Sequence, residues 1–423
     1  MQPYQPLQLL HVISHMLWAK LTRPRFAEYK TNDPAFYPVC YPVFKRMREE
    51  KKIFYEPRFL GWVVGGDYET MITLLRDDRL TVRFQDWKFY PRKEESKKNE
   101  LNRLTDNLLM AKYRPDHQRL RKLAVPAFSP RIVDKLMPKI KATIARHFDE
   151  LEAGGNEVID IVKVARSIPI EVLTQYLGVS DTYQNDFHEV SHAILGQFSP
   201  NTVINMDAAN KGIQMLKDLV REKRANPQDD LVSVLATTAD AGDRLSEDEM
   251  LSLIASVLAA GPDSTRDHIT CVAYALARQP QAWADVRANR DLMHNATRES
   301  FRWDAWGHRG YTRFTLEDME IHGQKIPKGE MVRLAFPVFL YDEKVFPEPD
   351  TFNLHRDNLD KVIYFGIGPH YCLGANIARG VSEAVIQEML DRYETISVAS
   401  PPVYEENVVS RRITTLPLKV KRA

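Results

Sequence analysis

Phe365-Gly366-Ile367-Gly368-Pro369-His370-Tyr371-Cys372-Leu373-Gly374 is the stretch on which the fold of this 423-residue chain turns. It sets one thiol in a glycine-rich turn directly ahead of an amphipathic run from Ala375 to Tyr393. In that run Ile377, Val381, Ala384, Val385 and Met389 fall on one side, as a helix requires. Glycines let a backbone approach a bulky object closely, and the amides that open a helix can point at an anion. Such a setting is expected to depress the thiol pKa and favour the thiolate. The residues alone leave three readings open: a metal thiolate, a reactive nucleophile and an inert buried cysteine.

Composition narrows the classes. With 44% hydrophobic and 10% aromatic residues the chain can bury a large core. Lys and Arg total 58 against 57 for Asp and Glu, a balance that argues against a nucleic-acid binder. Three cysteines in this length make no disulfide framework, and Cys40 and Cys271 read as small buried hydrophobes. Leu7 to Leu21 is apolar-rich but shorter than the roughly 20 residues of a bilayer span. It also carries His11, His15 and Lys20, with no small-residue cleavage site after it. A surface or packing helix is expected there, no membrane span, and a soluble, cytoplasmic protein.

Helical periodicity dominates, with small β-sheets near the two ends. Phe59 to Gly66 reads as a β patch and Tyr68 to Leu75 as a helix. The charged stretch from Phe84 to Arg114 reads as a solvated loop or helix face, or as a mobile region over a pocket. The longest helix opens at Ser246, where Ser246-Glu247-Asp248-Glu249 has capping-box spacing. Its apolar positions are interrupted by Ala260-Gly261-Pro262-Asp263-Ser264-Thr265. Pro262 cannot donate to the carbonyl of Leu258, so a kink is expected there, and a broken local rule tends to mark a functional site. Phe314 to Val332 alternates in short β-like pieces, and Phe346 to Asp350 is a proline-rich connection.

The cysteine stretch as a whole resembles the haem-binding loop of the cytochromes P-450: Phe, two residues, Gly, one residue, His or Arg, one residue, Cys, one residue, Gly. Further landmarks follow in register over nearly the whole chain. Glu299-Ser300-Phe301-Arg302 is similar to the family's Glu-x-x-Arg. The usual third partner of that pair, an Arg, is replaced by Thr351 in Pro349-Asp350-Thr351-Phe352, which leaves Arg356 or His355 to substitute. His117 and Arg121 match His-x-x-x-Arg, and Arg313 aligns with another propionate-binding arginine. Ala260 to Thr265 resembles the oxygen-activating motif, with Asp263 as its acid and Ser264, followed by Thr265, where a Thr is usual.

The resemblance implies a single P-450 domain over 1–423, with 1–30 as an N-terminal extension. Its mainly α fold would hold haem b between a long kinked distal helix and the proximal cysteine-loop helix. Cys372 would be the axial thiolate and metal ligand, with Gly374 after it and Phe365 beside the haem. His117, Arg121, Arg313 and His370 would hold the propionates; Asp263, Ser264 and Thr265 would serve oxygen activation. The implied activity is insertion of one oxygen atom of O2 into a small, largely apolar substrate. Electrons would come from a ferredoxin or flavodoxin with its reductase, for which Arg119, Lys122 and Arg379 are candidate contacts. The substrate pocket would draw on Asn107 to Met110, Ile194 to Phe198, Leu258 and Trp303 to Arg309. Alternatives are a peroxide-driven or non-hydroxylating relative (coupling, epoxidation, dehydration) and a non-enzymatic haem ligand carrier or sensor.

Overall fold

The structure, a computed structural model, describes residues 6–29, 40–57, 59–90, 99–180, 183–196, 204–240, 242–304, 310–405 and 412–423. It opens with α1 (Pro6–Thr22) and α2 (Cys40–Glu49), then β1 (Ile53–Glu56), β2 (Gly61–Val64), α3 (Tyr68–Arg76) and β3 (Leu80–Thr81). α4 (Glu100–Asp106) and α5 (Asp116–Ala124) lead into a helical half. That half holds α6 (Pro130–Glu152), β4 (Val158–Asp160), α7 (Ile161–Leu177), α8 (Gln184–Gly196), α9 (Met206–Ala225) and α10 (Leu231–Thr237). After the hairpin β5 (Ala239–Asp240) and β6 (Asp243–Arg244) come α11 (Glu247–Ala277), α12 (Pro280–Ala288) and α13 (Met293–Trp303). β7 (Tyr311–Thr315), β8 (Met319–Ile321), β9 (Gln324–Ile326), β10 (Met331–Leu334) and α14 (Phe336–Phe339) follow. α15 (Ala375–Arg392) and β11 (Tyr393–Val398), β12 (Val403–Glu405), β13 (Arg412–Thr415) and β14 (Pro417–Arg422) complete the chain.

The main sheet has the order β1-β2-β10-β7-β3, antiparallel except where β10 runs parallel to β2. A three-stranded sheet, β11-β14-β4, ties the C-terminus to the helical half, and β12 pairs with β13 as a hairpin. The expected mainly helical fold with small sheets is what the chain adopts.

α11 forms because both ends of its logic are present. The Ser246 hydroxyl accepts from the Glu249 amide at 3.2 Å, and the Glu249 carboxylate accepts from the Ser246 amide at 2.8 Å. Two of the four amides that every helix start leaves without an intrahelical acceptor are thereby satisfied. The helix then runs 31 residues without a break through Gly261-Pro262, packed against α7, α8, α13 and α15. Between Met250 and Ala277 only Ala260 and Ser264 are exposed. They lie one turn apart on one side, so a core helix presents a single narrow open face. At that turn the Ser264 hydroxyl donates to the Ala260 carbonyl at 2.5 Å.

Below it, Glu299 and Arg302 of α13 are fully buried and bonded twice, at 2.7 and 2.8 Å. The third partner is Arg356, whose Nε reaches Glu299 at 3.1 Å, whereas His355 is exposed. The two guanidiniums also donate to the carbonyls of Pro347, Glu348, Pro349 and Thr351. The missing Arg at position 351 is therefore supplied from five residues on, because a long side chain can reach back into the same pocket.

The charged stretch after Phe84 carries real helix: Asn99 caps α4 by accepting from the Asn102 amide at 2.8 Å, and a 3-10 turn spans Leu109–Ala111. Residues 91–98 lie outside the described ones. α1 lies at the surface with Leu10, Ile13, Leu17, Trp18 and Leu21 exposed, and Val12 and Ala19 buried. No helix among the described residues is long and apolar enough to cross a membrane. Cys271 is buried, as expected; the Cys40 side chain lies outside what is described.

Two consequences are measurable. Glu299→Ala strands two buried guanidiniums and should cost roughly 3–5 kcal/mol, read as a large fall in melting temperature. His268 is buried against Phe301 and Phe365, with no partner for either ring nitrogen among the described residues, and burial holds its pKa down to about 3. The folded state therefore refuses a proton that the unfolded chain takes up below about pH 6.5. Stability should fall by up to about 1.4 kcal/mol per pH unit between pH 6.5 and 3 from this residue. His268→Phe should flatten that acid limb in a denaturation series.

Candidate functional site

The cysteine loop is a tight backbone structure that hands the chain to α15. Gly366 and Gly368 adopt φ of +75° and +70°, which side-chain-bearing residues rarely tolerate. These two positions let the Cys372 amide return to the Phe365 carbonyl at 2.9 Å and the Tyr371 amide to the Gly368 carbonyl at 3.0 Å. Gly374 caps α15, and its amide donates to the Cys372 sulfur. Cys372 is partly buried at the end of this turn.

The expected lowering of the thiol pKa is not what the protein alone produces. Burial pushes the Cys372 thiol up, and the Gly374 amide and the Arg121 guanidinium only partly offset it. Desolvation outweighs one amide and one partly buried cation. The loop presents a thiol, and a bound metal ion would be what deprotonates it.

Around the loop the structure gathers the four basic residues. The imidazoles of His117 (on α5) and His370 lie 4.1 Å apart between ring centroids. Burial and the nearby cations hold His117 down to about 4 and His370 to about 3, the latter under the influence of His117, Arg313 and Arg121. Arg121 faces Cys372 from one turn beyond His117. Arg313, on β7, is buried, and burial lowers its pKa as well. Among the described residues no carboxylate lies within ion-pair distance of any of the four. At these values both imidazoles are neutral N–H donors, so the charge of the cluster is that of Arg121 and Arg313, whose guanidiniums without counter-charge fit a ligand that brings anions. Phe365 is flanked by His268, stacked at 5.8 Å and 16°, and by the Arg379 guanidinium at 5.6 Å.

On α11, Ser264 is exposed while Thr265 is buried, so the accessible hydroxyl is that of Ser264. Asp263 is held on two sides: Arg412 of β13 bonds it at 2.7 Å and Arg266 approaches at 3.2 Å. Arg412 also pairs with Glu405 at 3.3 Å, and these groups border a polar cavity of about 1620 Å³. Sequence reasoning missed Arg412, which lies 149 residues from Asp263 and in no motif. Of the basic residues expected to face a partner, Arg119 is bonded to Asp243 and Glu249, and Arg379 covers Phe365. Residues 197–198 and 305–309 of the expected pocket lie outside the described residues.

The sequence profile of the cytochrome P-450 family matches residues 55–421. The chain belongs to that family. It is 30% identical to the epothilone C/D epoxidase of Sorangium cellulosum over 95% of this chain and 96% of the relative. It is 31% identical to the 6-deoxyerythronolide B hydroxylase of Saccharopolyspora erythraea, over 91% and 97% respectively. An epothilone B-bound cytochrome P-450 superposes with a TM-score of 0.83 at 30% identity, covering 93% of this chain and all of that one. As a cytochrome P-450 the protein is an oxidoreductase, a monooxygenase whose cofactor is haem b. The guanidiniums of Arg121 and Arg313, without a carboxylate partner among the described residues, fit that group, whose two propionates would supply the counter-charge.

Arg313→Ala should weaken haem retention about tenfold or more, the scale of a lost charge-assisted hydrogen bond. The ratio of Soret to protein absorbance after dialysis against apomyoglobin checks this.

Proposed function

We propose that this cytochrome P-450 hydroxylates a largely apolar organic substrate with one oxygen atom of O2, and that the Cys372 thiolate would hold the haem iron. The observation that carries the reading is the quartet His117, Arg121, Arg313 and His370 beside a cysteine whose sulfur accepts from the Gly374 amide. In this reading the quartet would hold the propionates, Phe365 would pack beside the haem, and the Gly374 amide would limit charge donation by the sulfur. Haem b on a thiolate supplies the binding and cleavage of dioxygen.

The chain's own part on the open side belongs to α11. Ser264 is the accessible hydroxyl, which would leave the Ala260 carbonyl to donate a hydrogen bond in the open space beside it, and buried Thr265 supports the helix instead. Asp263 would pass protons from the polar cavity it borders, after loosening its bond to Arg412. Electrons arrive from a separate small carrier, a ferredoxin or flavodoxin with its reductase, and the protein works in the cytoplasm.

Epoxidation is the second reading, favoured by relatives named an epothilone C/D epoxidase and a mycinamicin IV hydroxylase/epoxidase. Both outcomes need the same oxygen atom and differ only in whether the substrate offers a C–H or a C=C bond.

Cys372→Ser should abolish the thiolate-type carbon monoxide band of the reduced protein while leaving the chain folded. Survival of that band would overturn the assignment. A screen of polyketide-derived and other apolar compounds for the high-spin shift of ferric wild-type protein should return the substrate class.

A further inference from the structure

The amide of Leu109 and the hydroxyl of Ser256 meet at 2.7 Å inside the protein, and both residues are buried. The same hydroxyl donates to the carbonyl of Ser252, one turn back on α11, at 2.6 Å. A serine offers one proton and two lone pairs. Here the proton goes to the helix and a lone pair to another segment, so Ser256 is a peg joining two pieces of chain. A serine inside a helix commonly bonds back to the carbonyl four residues before it, as Ser256 does to Ser252; its second bond, to the Leu109 amide, reaches outside the helix.

What it holds is the start of the 3-10 turn Leu109–Ala111, between α4 and α5. Among the described residues every other hydrogen bond of residues 107–112 closes within 103–112. The Asn107 amide and side chain reach Leu104 and Arg103, the Lys112 ammonium reaches Asn107, and the Ala111 and Lys112 amides reach Leu108 and Leu109. The Ser256 bond is therefore the one polar tie between this segment and α11. Two geometric facts give the tie its consequence. Ser256, Ala260 and Ser264 are successive i, i+4 positions, so the peg stands one turn from the open face of α11. Downstream, Tyr113 to Pro115 connect the segment to α5, which carries His117 and Arg121. The tied turn thus runs from the rim of the open face to the helix that carries His117 and Arg121.

We propose that Ser256 is a specificity-determining positioning residue. Its hydroxyl fixes how far the segment Asn107–Lys112 stands from the open face of α11, and so the width available to a ligand there. The inference rests on the reading of α11 and Cys372 as the two sides of the haem site. An apolar residue at 256 would leave the Leu109 amide buried without an acceptor, a state that proteins relieve by moving the segment.

The test uses the holoprotein with two probes, imidazole and the bulkier 4-phenylimidazole, titrated by the shift of the Soret band. Ser256→Ala should speed hydrogen exchange at the Leu109 amide at least tenfold. It should also change the ratio of the two dissociation constants at least threefold. Ser256→Thr, which keeps the acceptor, should restore both. If Ser256→Ala does not accumulate, Ser256→Cys keeps the shape, weakens the acceptor and should shift the ratio in the same direction. Unchanged exchange at Leu109 overturns the tie; faster exchange with an unchanged ratio overturns its effect on ligand width. The carbon monoxide band of the wild type separates the two levels. A band not of the thiolate type sinks the haem-site reading itself, whereas a normal band with an unmoved ratio sinks only the role of Ser256.

Discussion

The bonded set Glu299, Arg302 and Arg356 is the constraint on which the rest depends. Three charges sit where water does not reach, and their remaining hydrogen bonds go to the carbonyls of Pro347, Glu348, Pro349 and Thr351. A proline-rich connection with no helix or sheet ladder of its own is thus given fixed acceptors. That connection leads, through Leu354 and Tyr364, both buried, into the cysteine loop. Pinning it to α13 settles where the loop begins, and the returns at Gly366 and Gly368 settle where it ends. The ion pairs here give position more than net stability, since desolvation of the charges offsets much of their attraction.

Two environments meet at the site and they are opposite in character. The proximal side collects cations, loses water and raises the thiol pKa. The other side is a buried helix opened at one turn, where Pro262 leaves the Leu258 carbonyl without its helical donor and the Ser264 hydroxyl donates to the Ala260 carbonyl. Local helical rules are kept at both ends of α11, by the capping box and by apolar packing, and are relaxed only at the turn bearing Asp263 and Ser264.

Much of this was legible in the sequence. The capping box, the β patch around Trp62, the last helix and the Glu299–Arg302 pair are local patterns, and local patterns can be read one segment at a time. The substitution of Arg356 for the absent arginine was foreseeable as one of two options, because side-chain length allows it. The direction of the Cys372 pKa was not, since it depends on how much water the folded loop excludes rather than on which residues form it. Arg412 and Ser256 were equally hidden. Each acts across more than a hundred residues through a single bond, and no spacing rule links the partners.

The narrow open face of α11 also bears on how such a protein diversifies. Of the residues from Met250 to Ala277, only Ala260 and Ser264 are exposed; enlarging a fully buried neighbour displaces core atoms and tends to cost stability. With Ser264 in the proposed role, Ala260 is the position on this helix where size can vary most freely. A lineage that takes on new substrates would therefore accumulate its changes in the connections around the helix and keep the helix itself nearly constant.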